Sequence, residues 1–301
     1  MKAALCFLLV FSVFSCKVEH QKMRDQKTIV CTTSIIADCI QTCVDSSFHV
    51  VSLMGPGVDP HAYNPRPSDI FALNNASVIV YNGFHLEGKM AELFERLSTR
   101  KKVVAISTYF PSNLKIKTDQ ISAIDPHIWF DPKAWLDGVE GALKQIGTVY
   151  PSNRKAFFIR FEKYKTKVLL EYERLKLEIN SIPKSQRVLI TSHDAFHYFG
   201  RAFGIQVRAL QGISTTQEPG VKDVIDLVDF IVQNNIKALF VEHSVSPKAI
   251  QTVIESCERK NHHVVIGGTL YSDALGEKQQ LGGSYLGMLQ HNTRTIIRGL
   301  K

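Results

Sequence analysis

Between Pro151 and Pro183 the chain runs for thirty-one residues without glycine or a further proline. Apolar residues recur there at Phe157, Phe161, Tyr164, Val168, Tyr172, Leu175 and Ile179. Steps of three and four are the period of a single α-helical stripe. The other faces carry Arg154, Lys155, Arg160, Lys163, Lys165, Lys167, Arg174 and Lys176 against Glu162, Glu171, Glu173 and Glu178. At about 1.5 Å per residue, roughly thirty residues reach about 45 Å. A rod of that length suits a strut across two packed bodies. A surface helix on one large domain is the alternative.

The flanks favour the strut. Before it, β-type runs at Thr28–Thr33, Phe48–Leu53, Ser77–Tyr81 and Lys102–Ile106 alternate with helical stretches. These are Ile35–Val44, with Ser34 as the expected cap, Leu86–Leu97, and Pro132–Val149, opened by a first-turn proline. After it, strand runs at Arg187–Thr191, Ile205–Leu210, Ala238–Glu242 and His263–Ile266 alternate with helices at Ser192–Phe203, Val221–Asn234, Ser246–Lys260 and Tyr285–Leu300. Such alternation predicts parallel sheets covered by helices. The expected fold is α/β, with two lobes, each a parallel four-stranded sheet covered by helices, joined by one long helix. The expected division is 28–150, 151–183 and 184–301.

With 301 residues, 45% hydrophobic and 21% charged, the chain can build a real core in each lobe. Its net charge of +8 is scattered and concentrated mainly on the long helix, among acids. No basic–aromatic stripe is present, so nucleic acid is not an expected partner. A mild attraction to an anionic membrane surface stays open. Lys2 followed by the apolar run Ala3–Phe14 has signal-peptide length and is too short to span a bilayer. It ends Val13-Phe14-Ser15-Cys16, which resembles a bacterial lipoprotein signal in which Cys16 becomes the lipidated N-terminus. Plain secretion, with Cys16 a chance cysteine, is the alternative. Residues 1–16 are thus read as a signal and the polar residues 17–27 as a tether. Cys31, Cys39, Cys43 and Cys257 read as small buried apolar residues, although an exported compartment would permit pairing.

Ligands of parallel sheets bind beyond the carboxyl ends of the strands. The loops there hold His61 in VDPHAYNP, His127 in DPHIW, His193 directly after RVLITS, and Asp273 in GGTLYSDALG. Each lobe supplies two. In both DPH triplets the aspartate can accept backbone N–H groups while the proline fixes the chain so that the histidine projects. Three imidazoles and a carboxylate suit a borderline divalent cation: zinc, manganese or ferrous iron. Glu242, ending its strand, is read as an acceptor that orients a ligand imidazole, with a loop-holding carboxylate as the alternative. HDAFH (His193 to His197) has the spacing of a zinc hydrolase helix but places Asp194 where that chemistry needs glutamate. His197 itself is expected to pack or to face solvent. No GxSxG, P-loop or GxGxxG occurs.

GPGVDPHAYNPRPSD, YNGFHLEGKM, DPHIWFDPKAW, TSHDAFHYFGRAFG, LFVEHSVSPK and GGTLYSDALG, in this order, closely resemble the TroA-like zinc/manganese-binding lipoproteins of bacterial ABC importers. The likeness runs from about Thr28 to the C-terminus. It implies an extracytoplasmic receptor, not an enzyme, that holds one divalent metal ion as cargo between two lobes through His61, His127, His193 and Asp273. It implies an ABC permease and its ATPase subunit as partners, a monomeric state, and a periplasmic location on a lipid anchor at Cys16, or secretion to the periplasm. The histidine at the third ligand position resembles zinc members. Pro111–Ile124 lacks the His-rich loop usual in dedicated zinc members, which leaves manganese and iron open. A surface adhesin with a structural metal and a zinc hydrolase are the competing readings.

Overall fold

The structure, a computed structural model, describes residues 27–118 and 123–301. The signal-type segment, Cys16 and the tether up to residue 26 lie outside the described residues. In the first half, β1 (Lys27–Thr33), β2 (Phe48–Met54), β3 (Val78–Tyr81) and β4 (Lys102–Ala105) form a parallel sheet of order β2-β1-β3-β4. Ile29 pairs with Val50 on one side and Val78 on the other. Aliphatic residues buried on both faces, such as Val78, Ile79 and Val80, suit the interior strands of a parallel sheet. The helices are α1 (Ser34–Cys43), α2 (Pro67–Asn75), α3 (Ala91–Ser98) and α4 (Pro132–Val149). Thr33, not Ser34, caps α1, its hydroxyl accepting from Ile36 N. Ser34 instead accepts from Leu275 N in the second half at 2.9 Å.

The second half places its four strands as two hydrogen-bonded parallel pairs rather than one continuous ladder. β5 (Val188–His193) pairs with β6 (Gln206–Gln211), and β7 (Ala238–Glu242) with β8 (Val265–Leu270). β5 lies beside β7. At their ends a side chain makes the link that a ladder would make, because Glu242 takes the backbone N–H of His193. The helices are α6 (His197–Phe203), α7 (Val221–Gln233), α8 (Lys248–Arg259) and α9 (Tyr285–Leu300). β8 continues to Leu270, through the glycines expected to begin a loop. A side chain at Gly267 would press on Phe240, and one at Gly268 (φ +150) would collide with Thr295. Both glycines let β8 approach β7 and α9 closely.

The strut is α5 (Arg154–Ile179), entered through a 3₁₀ turn at Pro151–Asn153. Its buried residues are the seven of the sequence stripe, Phe157 to Ile179. It packs on α1 and α4 of the first half and α9 of the second. Tyr172 Oη donates to Ala202 O at 2.7 Å and Gln290 Nε2 donates to Glu171 at 2.7 Å. One apolar cluster includes Ile29, Trp135, Phe161, Leu175, Phe196 and Ile296, so the halves and the helix share a core. Phe130 stacks on Phe196 at 4.6 Å across the seam. Smaller clusters lie under α2–α3 and under α7–α8. Cys31, Cys39, Cys43 and Cys257 are buried and unpaired. No helix among the described residues is long and apolar enough to cross a membrane.

Candidate metal centre

The strands of each ladder run parallel, and four side chains from strand ends and connecting loops converge. One ligand atom from each of His61, His127, His193 and Asp273 lies within 4.8 Å of the others. Three of the residues are fully buried and His61 is 7% exposed. The Nε2 atoms of His61 and His127 are 3.2 Å apart. The Asp273 oxygens stand 3.4 Å from His127 Nε2 and 3.2 Å from His193 Nε2.

Each residue is delivered by local chemistry. His61 sits in the loop after β2. Asp59 Oδ1 accepts its backbone N–H at 2.8 Å, and Thr215 Oγ1 from the β6–α7 loop donates to Asp59 Oδ2 at 2.5 Å. Gly57, at φ +68, lets this loop pass His243, whose ring lies 3.1 Å from where a Cβ would stand. His127 follows the second DPH aspartate. Asp125 Oδ1 accepts its backbone N–H at 2.9 Å and lies 2.8 Å from Nδ1. Asn82, just after β3, donates to Pro126 O at 2.9 Å, and Tyr198 Oη donates to Asp125 O at 3.1 Å.

His193 ends β5 and Glu242 ends β7, the neighbours at which strand order reverses and ligand crevices form. Glu242 receives His193 N at 2.9 Å through Oε1, and its Oε2 lies 2.5 Å from Nδ1. The carboxylates beside Nδ1 of His127 and His193 fix each ring so that Nε2 faces the cluster. The Asp273 loop is clamped from both halves. Asn292 of α9 bonds Tyr271 N and O, Trp129 Nε1 donates to Ser272 O, and Ser34 holds Leu275 N.

The cluster strains its titration. Burial, reinforced by the two neighbouring imidazoles, drives His61 down to about 3, although Asp273 pulls the other way. Burial also opposes the charge on His127, but Asp125 and then Asp273 outweigh it and raise the ring to about 9. For His193 burial is likewise overcome, by Glu242 and Asp273, and the ring is held well above the ordinary histidine range. Burial pushes Asp273 up, but His193 and His127 reverse this and hold it well below the carboxylate range. Neither Asp273 oxygen makes a hydrogen bond. A buried carboxylate without hydrogen bonds, facing three imidazole nitrogens, fits a divalent cation held by nitrogen and oxygen.

The profile of the family described as ZnuA, zinc-uptake complex component A periplasmic, matches residues 29–299. This chain belongs to the ZnuA family. The manganese-binding lipoprotein MntA of Bacillus subtilis (strain 168) is 40% identical over 306 residues, covering all of both chains. The zinc-binding protein TroA of Treponema pallidum (strain Nichols) is 39% identical over 279 residues, 92% of this chain and 90% of that one. The solved structure of the periplasmic zinc binding protein TroA from Treponema pallidum superimposes with a TM-score of 0.89 at 37% identity. It covers 91% of this chain and 99% of its own.

In this ZnuA-family chain the sequence-selected His61, His127, His193 and Asp273 come together, and Glu242 stands against His193. Three contacts went unread. Asp125 grips the His127 ring as well as its backbone, Thr215 reaches Asp59 from the other half, and His197 is more than packing. The His197 ring faces Asp125 Oδ2 at 3.4 Å and Asp194 Oδ1 at 3.1 Å. His193 lies on a strand and α6 begins at His197, so HDAFH is not a helical pair and its histidines face different partners.

Proposed function

We propose that this chain is the extracytoplasmic solute-binding protein of an ABC importer. It captures one divalent transition metal, zinc, manganese or iron, through His61, His127, His193 and Asp273, and delivers it to a membrane permease driven by a separate ATPase subunit. The lobes are residues 28–150 and 184–301, the linking helix is 151–183, and Cys16 carries the lipid that holds the chain at the membrane. The observation that carries this reading is the burial of four ligand atoms within 4.8 Å, contributed equally by the two halves.

The same geometry explains capture. Without metal, Asp125 and Asp273 favour the protonated form of His127, and Glu242 and Asp273 that of His193. A dication entering replaces two imidazolium charges, so the buried net charge does not change. Nothing in this exchange is a reaction on a substrate. Asp194, the group a hydrolase would need to activate water, pairs with His197. Elemental analysis of purified chain should find about one metal per molecule, reduced at least tenfold in His61→Ala and His193→Ala. Full metal content in both variants would sink the assignment.

A further inference from the structure

The metal cluster uses one edge of the fold, and the outer face of α5 is a second, unrelated feature. Ile159, Leu170 and Leu177 are 51%, 70% and 72% exposed. Their spacings of eleven and seven residues place them on one line of the helix, opposite the buried stripe. Lys155, Arg160, Lys163 and Lys167 flank that line and are exposed. Of the other long cations of α5, Lys165 pairs with Glu140, Arg174 with Glu171 and Glu178, and Lys176 lies over the Tyr172 ring, while Arg154 is exposed at the first turn. Among the described residues the flanking four have no ion-pair partner; the acids near them are the exposed Glu162 and the half-buried Asp45, the latter within the field of Arg160.

Helix stability does not account for this placement. The first turn of α5 contains no acid and the cations crowd its N-terminal half, the end where the helix dipole disfavours them. An apolar line bordered by lysines that can extend their charges outward is the pattern of a helix lying on a bilayer.

The start of the described chain lies at the same place. Lys27, the first residue of β1, donates from Nζ to Asn153 Oδ1 at 3.1 Å, just ahead of α5. Residues 17–26 are ten in number and extend at most about 35 Å. With Cys16 anchored as proposed above, the basic half of α5 is tethered close to the lipid surface. Lys27 is at the amino end of β1, whereas His61 follows the carboxyl end of the parallel neighbour β2.

We infer that the outer face of α5, Lys155 to Leu177, docks on anionic phospholipid headgroups of the bilayer that carries the anchor. The charge and the apolar line do not depend on the metal site, whereas the tether argument rests on the anchor reading.

The test uses the full chain reconstituted into vesicles, with an environment-sensitive label at Leu170→Cys and, as a control, at Val221→Cys on α7. Quenching by headgroup spin-labelled lipid at position 170 should rise several-fold in phosphatidylcholine vesicles containing phosphatidylglycerol, relative to phosphatidylcholine alone. It should fall back in high salt and in the Lys155→Gln/Arg160→Gln/Lys163→Gln/Lys167→Gln variant, since each cation near such a surface strengthens binding about fivefold. The label at 221 should not respond. Equal quenching in both lipids, or in the neutralised variant, would overturn the inference. So would an equal response to duplex DNA in place of anionic lipid. Metal content measured on the same vesicles separates failure of this inference from failure of the receptor assignment.

Discussion

His127 and His193 show how one carboxylate apiece aims a histidine ring, with Nε2 turned toward the cluster. Asp125 and Glu242 each hold the nitrogen remote from the cluster and, in the same motion, a backbone N–H. Removing the negative charge while keeping the shape should therefore weaken metal binding without emptying the site. Glu242→Gln and Asp125→Asn are expected to lose about 10- to 100-fold in affinity by chelator competition. The protons displaced are themselves measurable. With His127 raised to about 9 and His193 also raised, loading near pH 7 should release about two protons per metal, fewer as pH rises through 9. Calorimetry in buffers of different ionisation heat would count them, and zero release would contradict the charge exchange.

Stability of the metal-free chain follows with opposite signs for different rings. The His127 contribution is full below its unfolded value near 6.5 and is lost as pH climbs through about 9. That of His61, lowered to about 3, is present above 6.5 and is lost as pH falls toward 3. Melting temperatures of metal-free chain should therefore fall on both sides of neutrality. At the residue scale the sequence revealed what is contiguous. In the two DPH triplets, aspartate, proline and histidine are neighbours, so the turn could be read before the fold was known. The Thr215–Asp59 contact joins residues 156 apart and has no local signature.

Among the elements, α5 was the most legible, because a period of 3.6 over seven apolar positions has one folded solution and the buried residues follow it without exception. Phe161→Ala removes a fully buried ring from that stripe and should cost about 3–5 kcal/mol in denaturant titrations, with the metal site unaltered in composition. Boundaries that depended on a neighbour were read less well. The residues after β5 suggested a helix from Ser192, but His193 completes the strand through Glu242, and α6 starts only at His197. Gly267 and Gly268 suggested a loop, but they serve close packing against Phe240 and Thr295, neither of which is near them in sequence.

For the whole molecule, the parallel α/β class, the two lobes and the strut were visible in the alternation of strands and helices. The shared core was not, since nothing local tells a stripe that contacts one lobe from one that contacts both. That core predicts how the chain unfolds. Because Ile29, Phe161, Phe196 and Ile296 belong to one cluster, thermal unfolding should be a single cooperative transition reported alike by near- and far-ultraviolet dichroism. Residues 184–301 expressed alone should lack that transition. Two separated melts in the intact chain would show that the seam is weak.

The crossing between the halves is made by one stiff rod, and its consequence falls on the cargo. A cleft built on such a frame cannot widen or narrow much to suit ions of different radius. On the proposed ligand set, adjustment would be left to the side chains, chiefly to whether Asp273 met the ion with one oxygen or with both. Discrimination between a smaller and a larger cation would then turn on carboxylate aim and bond count, over a backbone common to both.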